Sequence, residues 1–166
     1  MNRQKLFSGR RMADRNVLPA RNLQLRLVSL MPLVSRKGVL AIGAVIDIAI
    51  HAGNRPVSAK ALAERHKLPP RHLEPVLQAL VRDGILKGVR GPHGGYHLAR
   101  DRDRITAEDI MRAAGSVEEQ GEPPLPTSSL IRGIVSPALA EAERAFSLAL
   151  SRINIEDLAK AVEAAK

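Results

Sequence analysis

The clearest periodic pattern of apolar residues in the chain lies between residues 68 and 82. Apolar side chains recur there at intervals of three or four residues, which is typical of a helix that packs on a core along one side. These positions are Leu73, Val76, Leu77 and Leu80. Three polar residues, Arg71, Glu74 and Gln78, share a different face. The pattern predicts a helix that is half buried and half polar.

Pro75 falls inside this helix. Proline removes a backbone hydrogen bond and crowds the preceding turn, so it is tolerated only near the beginning of a helix. The sequence leaves two alternatives, a helix kinked in its first turn or one that begins nearer Arg71. Asp83 and Gly84 are expected to end it.

Two short segments after this helix have the character of β-strands. Residues 85–90 and 96–99 flank a turn formed by Gly91, Pro92, His93, Gly94 and Gly95. A polar-faced helix followed by a basic hairpin is the arrangement of a winged helix-turn-helix. The fold class predicted is therefore mainly α with a small β-hairpin wing, extended by a C-terminal dimerisation helix.

The upstream residues supply the remaining helices of that motif. A strongly apolar helix is expected from Ser35 to His51, and its composition predicts burial on several sides. Ser58 is a suitable N-cap for a short helix that runs through His66. Lys67 and the following proline pair would form the tight turn between the two helices of the motif.

Downstream of the wing, Thr106 and Asp109 form the pattern of a capping box, predicting a helix from Ala107 to Ala114 that ends at Gly115. Residues 116–128 are rich in glutamate and proline and are expected to be a linker. The next helix either begins at Ser136, followed by Pro137 at its first position, or begins near residue 129 and bends.

A stripe of apolar residues at intervals of three and four follows. Its members are Leu139, Ala142, Phe146, Ala149 and Ile153. This spacing favours a contact between two helices, which we interpret as a dimer seam. The alternative is packing on the first helix of the same chain. Asn154 is expected to cap a last helix, Ile155 to Ala165.

Charge is concentrated at one end of the chain. The formal net charge is +9, which favours a polyanionic partner. Residues 1–30 contribute +6 of it and the remaining residues +3. The first 30 residues are expected to be a disordered basic extension, with a phosphate-binding arm as the alternative. Residues 31–115 would form the DNA-binding domain, 116–128 the linker and 129–166 the dimerisation helices.

Composition excludes several classes of site. The chain has no cysteine, so thiolate-held clusters and thiol nucleophiles are excluded. With two Phe, one Tyr and no Trp it lacks the aromatic platforms of single-strand binders. His93 and His97 are separated by a turn, which favours wing histidines near phosphate over a metal pair. No clustered catalytic set is evident, and the expectation is a cytoplasmic protein that is neither an enzyme nor a membrane protein.

Several motifs together resemble those of a known family. They are Ser35-Arg36-Lys37-Gly38, Leu73-Glu74, Asp83-Gly84-Ile85-Leu86, Val89-Arg90-Gly91-Pro92 with Gly94-Gly95-Tyr96 and Leu98, and Ile105-Thr106. On these residues the chain resembles the Rrf-two (IscR/NsrR-like) family of bacterial winged-helix transcriptional regulators. The resemblance implies a homodimer that binds double-stranded DNA as a repressor at a palindromic operator.

The resemblance also implies roles for individual residues. Arg71 and Glu74 would contact bases and Arg90 would be the wing arginine. The whole set of DNA-binding candidates is Arg36, Lys37, Ser58, Arg71, His72, Glu74, Gln78, Arg90, His93, Gly94, Gly95 and Tyr96. A protein-interaction module with little DNA affinity is the alternative function.

The chain departs from the family's sensor members in one respect. Those members hold an iron–sulfur cluster through three cysteines, and the corresponding segment here, residues 115–129, contains none. The position of a carboxylate ligand in nitric-oxide-sensing members is Val39. The resemblance therefore implies a member without this cofactor, and no other cofactor is predicted.

Overall fold

The computed structural model describes residues 34–118 and 128–165. The predicted basic extension, residues 1–30, and most of the predicted linker lie outside this range. The described residues belong to one compact unit. No helix within them is both long enough and apolar enough to cross a membrane.

Three helices precede the wing. Helix α1 spans Arg36–His51, α2 spans Ala59–Arg65 and α3 spans Pro70–Arg82. Two of the helix starts are capped by serine hydroxyls, which accept from backbone N–H groups that have no partner inside the helix; the cap at Ser58 was predicted, whereas Ser35 was expected to be the first residue of its helix. The Ser35 hydroxyl accepts from Gly38 at 2.9 Å, and the Ser58 hydroxyl accepts from Ala61 at 3.1 Å.

Helix α3 begins at Pro70 and not nearer Arg71, and it includes Pro75. Pro70 stands where proline is well tolerated, because the first residues of a helix have no acceptor for their N–H groups in any case. The helix ends at Arg82 with Asp83 as its C-cap, and Gly84 follows with a positive φ of 68°. The predicted stop is confirmed.

The wing is a two-stranded antiparallel hairpin. Strand β1 spans Leu86–Val89 and β2 spans Gly95–Leu98, with Leu86 paired to Leu98 and Val89 to Gly95. Leu86 at the base of the hairpin is buried, whereas the rest of β1 is exposed. The wing is thus anchored at its base and open to solvent towards its tip.

Helix α4 spans Ala107–Glu118 and follows a 3-10 turn at Arg102–Arg104. The capping box is confirmed: the Asp109 amide donates to the Thr106 hydroxyl at 3.2 Å, and the Thr106 amide donates to the Asp109 carboxylate at 3.3 Å. The predicted end at Gly115 is wrong. A glycine inside a helix costs only about 1 kcal/mol relative to alanine, and the helix continues for another three residues.

The C-terminal region is helical from residue 129, with π-helical turns at Ile131–Val135, α5 at Ser136–Ser151 and α6 at Ile155–Ala164. Ser136 has helical dihedral angles, φ −61° and ψ −46°. It is therefore not an N-cap, and the alternative that begins near residue 129 is correct. Asn154 caps α6 by accepting from the Asp157 amide at 2.8 Å, as predicted.

The core is aliphatic and is formed mainly by α1, α3 and α4. No polar side chain within the described residues is buried. Helix α6 also packs on α1, and its Ile155 and Ala159 are completely buried. The sequence grouped residues 129–166 as dimerisation helices, but α6 belongs to the same core as the winged helix. It is held there by the amide of Ala107, which donates to the Ile153 carbonyl at 2.8 Å.

Candidate nucleic-acid interface

The polar face of α3 is fully presented to solvent. Arg71, His72, Glu74 and Gln78 are all exposed, while Leu73 and Leu77 on the other face are completely buried. Within the described part of the chain, none of these four polar side chains forms a hydrogen bond or ion pair. The helix therefore offers unoccupied donors and acceptors on a rigid backbone, and the predicted face is confirmed as an exposed surface.

The tip of the wing is shaped by glycine. Gly91 has a φ of 115°, a conformation that favours glycine. The Gly94 amide donates to the Gly91 carbonyl at 2.9 Å, which closes the turn. A Cβ added to Gly94 would overlap the carbonyl oxygen of Val89. These glycines therefore have a structural role, whatever they contact outside the protein.

The wing is joined to the residue that precedes the helix-turn-helix. Tyr96 and Val57 exchange two backbone hydrogen bonds, of 2.9 and 3.0 Å. A Cβ on Gly95 would overlap the Val57 carbonyl oxygen and would lie 2.9 Å from the Ser58 nitrogen. Gly95 thus allows two backbones to touch, which fixes the wing relative to α2. No local pattern in the sequence indicates this contact, because Gly95 follows Val57 by 38 positions in the chain.

A groove that we call the inner groove separates α3 from the wing. It is lined by Gln78 and Val81 of α3 and by Arg90, Gly94 and Tyr96 of the wing, among others. Burial raises the pKa of Tyr96, and the negative charge of Glu74 raises it further. Of the predicted candidates, Gln78 of α3 and Arg90, Gly94, Gly95 and Tyr96 of the wing line this groove, whereas Arg71, His72 and Glu74 lie on the exposed face of α3 outside its lining.

A second depression, the outer groove, lies on the other side of the wing tip. Its basic and polar lining consists of His51, Arg55, Ser58, Arg65 and His93. Ser58 and His93 are among the DNA-binding candidates predicted from the sequence, whereas His51, Arg55 and Arg65 are not. They come from the end of α1, from the loop after it and from α2, so only the tertiary structure brings them together.

Asp47 fixes one wall of the outer groove. Its Oδ2 accepts a hydrogen bond from Arg65 Nε at 2.9 Å, and its Oδ1 accepts one from Arg65 Nη2 at 2.5 Å. This hydrogen-bonded ion pair raises the pKa of Arg65. The His51 Nδ1 lies 3.1 Å from Asp47 Oδ1. Asp47 therefore ties α2 to the last turn of α1 and holds two groove residues in place.

Arg36 and Lys37 lie away from both grooves. They begin α1, whereas His51 at the outer groove ends it, and a helix of this length extends for about 24 Å. The Lys37 ammonium donates to the Val117 carbonyl of α4 at 3.4 Å. The structure therefore does not group these two residues with the α3 and wing candidates.

The predicted apolar stripe on α5 is partly observed. Leu139 is 61% exposed, Ala142 and Ala149 are exposed, and Phe146 is half-buried. Ile153 is not on this helix, because α5 ends at Ser151 and the chain turns there. Other large apolar side chains are exposed in the same region and were not in the predicted stripe. They are Leu130, Ile134, Val135 and Leu148.

Comparison with known proteins identifies the family. Residues 34–161, most of the chain, match the Rrf2 family, described as "Iron-dependent Transcriptional regulator". The chain belongs to the Rrf2 family. The resemblance found in the sequence motifs and the winged helix-turn-helix fold are thereby confirmed.

The similarity to curated Rrf2-type relatives is confined to one segment. The chain is 35% identical over 80 residues to the HTH-type transcriptional regulator IscR of Xenorhabdus nematophila, covering 48% of this chain and 49% of the relative. It is 37% identical over 79 residues to the HTH-type transcriptional regulator CymR of Bacillus subtilis, covering 48% and 57%. The matched segment thus spans about half the length of these relatives.

Solved structures extend the similarity over more of the chain. The structure of T. potens IscR matches with a TM-score of 0.61 and 32% identity, covering 80% of this chain and 90% of that one. The structure of CymR, the global cysteine regulator of B. subtilis, matches with a TM-score of 0.56 and 28% identity, covering 76% and 95%. The Rrf2 fold therefore includes the C-terminal helices as well as the winged helix.

The iron named in the Rrf2 family description has no thiolate ligands here. The 166 residues contain no cysteine, and the described residues contain no group of three or more His, Asp or Glu side chains that could hold a metal ion. The residues present therefore do not fit a cluster held by thiolates.

Proposed function

We propose that this Rrf2 protein is a sequence-specific double-stranded DNA-binding regulator of transcription. The observation that carries the proposal is the exposed polar face of α3 beside the wing, with the inner groove between Gln78 and Arg90. An α-helix fits the major groove of DNA, where each base pair presents a distinct pattern of donors and acceptors. The family and the named relatives, which are transcriptional regulators, support it.

Two kinds of contact follow from the side-chain chemistry. Arg71 can donate two hydrogen bonds to a guanine edge, and Glu74 can accept from a cytosine amino group. Arg90 and His93 on the wing are suited to phosphate or to a narrow minor groove. The helix would supply base preference, and the wing would supply affinity and orientation.

We also propose that two copies pair through α5. Leu139 and Ala142 are both exposed and lie three residues apart on one face of α5, which favours a covered surface because an exposed apolar patch in water is unfavourable. A twofold axis would present two copies of α3 to successive turns of one face of DNA, so the operator would be an imperfect palindrome. Repression would then follow from occupancy of a promoter.

The protein would act in the cytoplasm, as a regulator and not as a catalyst. Its activity would not depend on an iron–sulfur cluster, since it has no cysteine to hold one. The dimer of Rrf2 chains on DNA would be the functional unit.

Selection of bound sequences from random double-stranded DNA tests the main proposal. We expect enrichment of one motif with two half-sites related by an inverted repeat, bound more weakly as salt is raised. Recovery of no motif, together with an intact dimer in solution, would contradict DNA reading and would favour a protein-interaction module.

Sedimentation of Leu139→Asp tests the dimer. Leu139 is exposed in the single chain, so the substitution leaves the fold intact and should dissociate the dimer by placing a charge in an apolar contact. Val162→Asp on α6, also an exposed apolar position at 39%, is the matched control. If Leu139→Asp remains a dimer and Val162→Asp does not, the interface lies elsewhere than on α5.

A further inference from the structure

We infer that the outer groove binds a backbone phosphate of the DNA and that Arg55 is its main cationic ligand. This inference rests on the proposed function and adds a second point of attachment to it. The residues concerned, His51, Arg55 and Arg65, were not among the candidates from the sequence.

The position of the groove is the first reason. Gly94 lines both the inner and the outer groove, so the wing tip separates the two. Arg90 lies on the inner side and Arg55 on the outer side. A DNA strand that crosses the wing tip would therefore meet a cation on each flank, which is an arrangement for a continuous polyanion.

The charge balance of the groove is the second reason. Arg65 is paired with Asp47, which lowers the net charge of that wall. Arg55 and His93 form no ion pair with any carboxylate in the described part of the chain, and both are exposed. The groove thus keeps an uncompensated positive charge at its outer edge, directly beside the wing tip.

The rigidity of its floor is the third reason. Val57 is held to Tyr96 by two backbone hydrogen bonds. The Ser58 hydroxyl oxygen accepts from the Ala61 amide, and its own proton has no acceptor among the described residues. That proton can be donated to a phosphate oxygen. The Ser58 hydroxyl supplies a hydrogen-bond donor and the Arg55 guanidinium supplies a positive charge, and an oxyanion requires both.

The openness of the groove favours a strand of DNA over a small anion. The depression has a volume of about 610 Å³ and is bordered by exposed side chains such as Arg55 and His93. None of the described polar side chains is buried. A small anion is usually enclosed by converging donors, whereas phosphates of a duplex need only a row of cations on the surface.

Salt dependence of DNA binding by Arg55→Ala tests the inference. Each phosphate contact contributes about 0.9 to the slope of log affinity against log salt, equivalent to about 3.5-fold between roughly 50 and 200 mM salt. We expect Arg55→Ala to lose this share of the slope, to bind all sequences more weakly and to keep the base preference of the parent. Arg55 is exposed and its side chain forms no hydrogen bond or ion pair with the described residues, so the variant should fold normally.

Arg104→Ala is the matched control. It removes the same charge from a side chain that is 75% exposed, on a 3-10 turn that packs against α6. Its salt slope should equal that of the parent. If Arg55→Ala also equals the parent, while Arg71→Ala changes base preference, the outer groove is not a phosphate site and DNA reading stands. If the parent protein binds no DNA, both proposals fail.

Titration of the free protein with inorganic phosphate separates the two sources of the anion. We expect no saturable binding that depends on Arg55. Saturable binding by the parent that is lost in Arg55→Ala, with unchanged DNA affinity in that variant, would overturn the inference in favour of a small-anion site.

Discussion

Gly95 lies in direct contact with the backbone of Val57, close enough that a single added carbon would overlap the Val57 carbonyl oxygen. Backbone on backbone contact of this kind leaves no flexible side chain that could move aside. The position of the wing relative to α2 therefore depends on the absence of a side chain at residue 95.

Gly95→Ala should destabilise the protein by about 1–3 kcal/mol, the usual cost of forcing extra volume into a packed site. Chemical denaturation measures the free energy of unfolding. Gly88→Ala is the matched control, since it lies in the paired strand and a Cβ there meets nothing within 4 Å. Equal stability of the two variants would show that the Val57 contact adapts easily.

Arg71→Ala should lower discrimination at one base-pair position of the operator by about 1–3 kcal/mol, because a bidentate contact to a base edge is lost. Arg90→Ala should instead weaken binding to all sequences to a similar degree. Competition between the selected site and its single-base variants measures both effects. A loss of base preference in Arg90→Ala and not in Arg71→Ala would reverse the assigned roles.

Tyr96 should titrate at a higher pH than an exposed tyrosine. Because its pKa in the folded protein is raised above the unfolded value of about 10, the unfolded state loses its proton first as the pH increases. The stability that depends on protonated Tyr96 is therefore fully present below about pH 10, and it is lost as the pH rises through the pKa that Tyr96 has in the folded protein.

Ultraviolet absorbance can follow this ionisation directly, since the chain has one tyrosine and no tryptophan. Glu74→Gln should lower the pKa of Tyr96 only in part, because burial is the larger cause of the shift. Glu64→Gln on α2 serves as the control and should leave the titration unchanged. A pKa that does not fall in Glu74→Gln would show that the carboxylate does not act on the ring.

Ile155→Ala should reduce the free energy of unfolding by about 2–5 kcal/mol, the range for removing a buried aliphatic side chain. Ile155 is completely buried against the core, whereas Val162 on the same helix is 39% exposed. Val162→Ala should change stability by less than about 0.5 kcal/mol. Similar losses in the two variants would contradict the packing of α6 on the core.

Much of the fold follows from short-range chemistry in the sequence. Caps at Ser58, Thr106 and Asn154 depend on side chains that reach only three residues along the chain. The buried stripe of α3 depends on a period that any single helix must obey. These predictions are confirmed because the interactions that decide them are local.

The predictions that failed depend on distant contacts. The helix end at Gly115 was expected from a weak local preference, and the helix continues past it for three residues. Ile153 fits the spacing of the α5 stripe, yet the chain has already turned towards Ala107 at that point. The outer groove is formed by segments that lie more than 40 residues apart in the chain, such as those of His51 and His93. No local sequence pattern therefore predicts it.

The return of α6 to the core means that the winged helix is discontinuous in the sequence. The chain leaves this unit after α4 and comes back at Asn154, which forms a β-bridge with Thr106 at the start of the same helix. The segment between those two points therefore starts at the C-terminal end of α4 and returns to its N-terminal end, and within it the described helix α5 packs on α4. The two ends of α4 are thus the places where a change of length in this segment meets the aliphatic core.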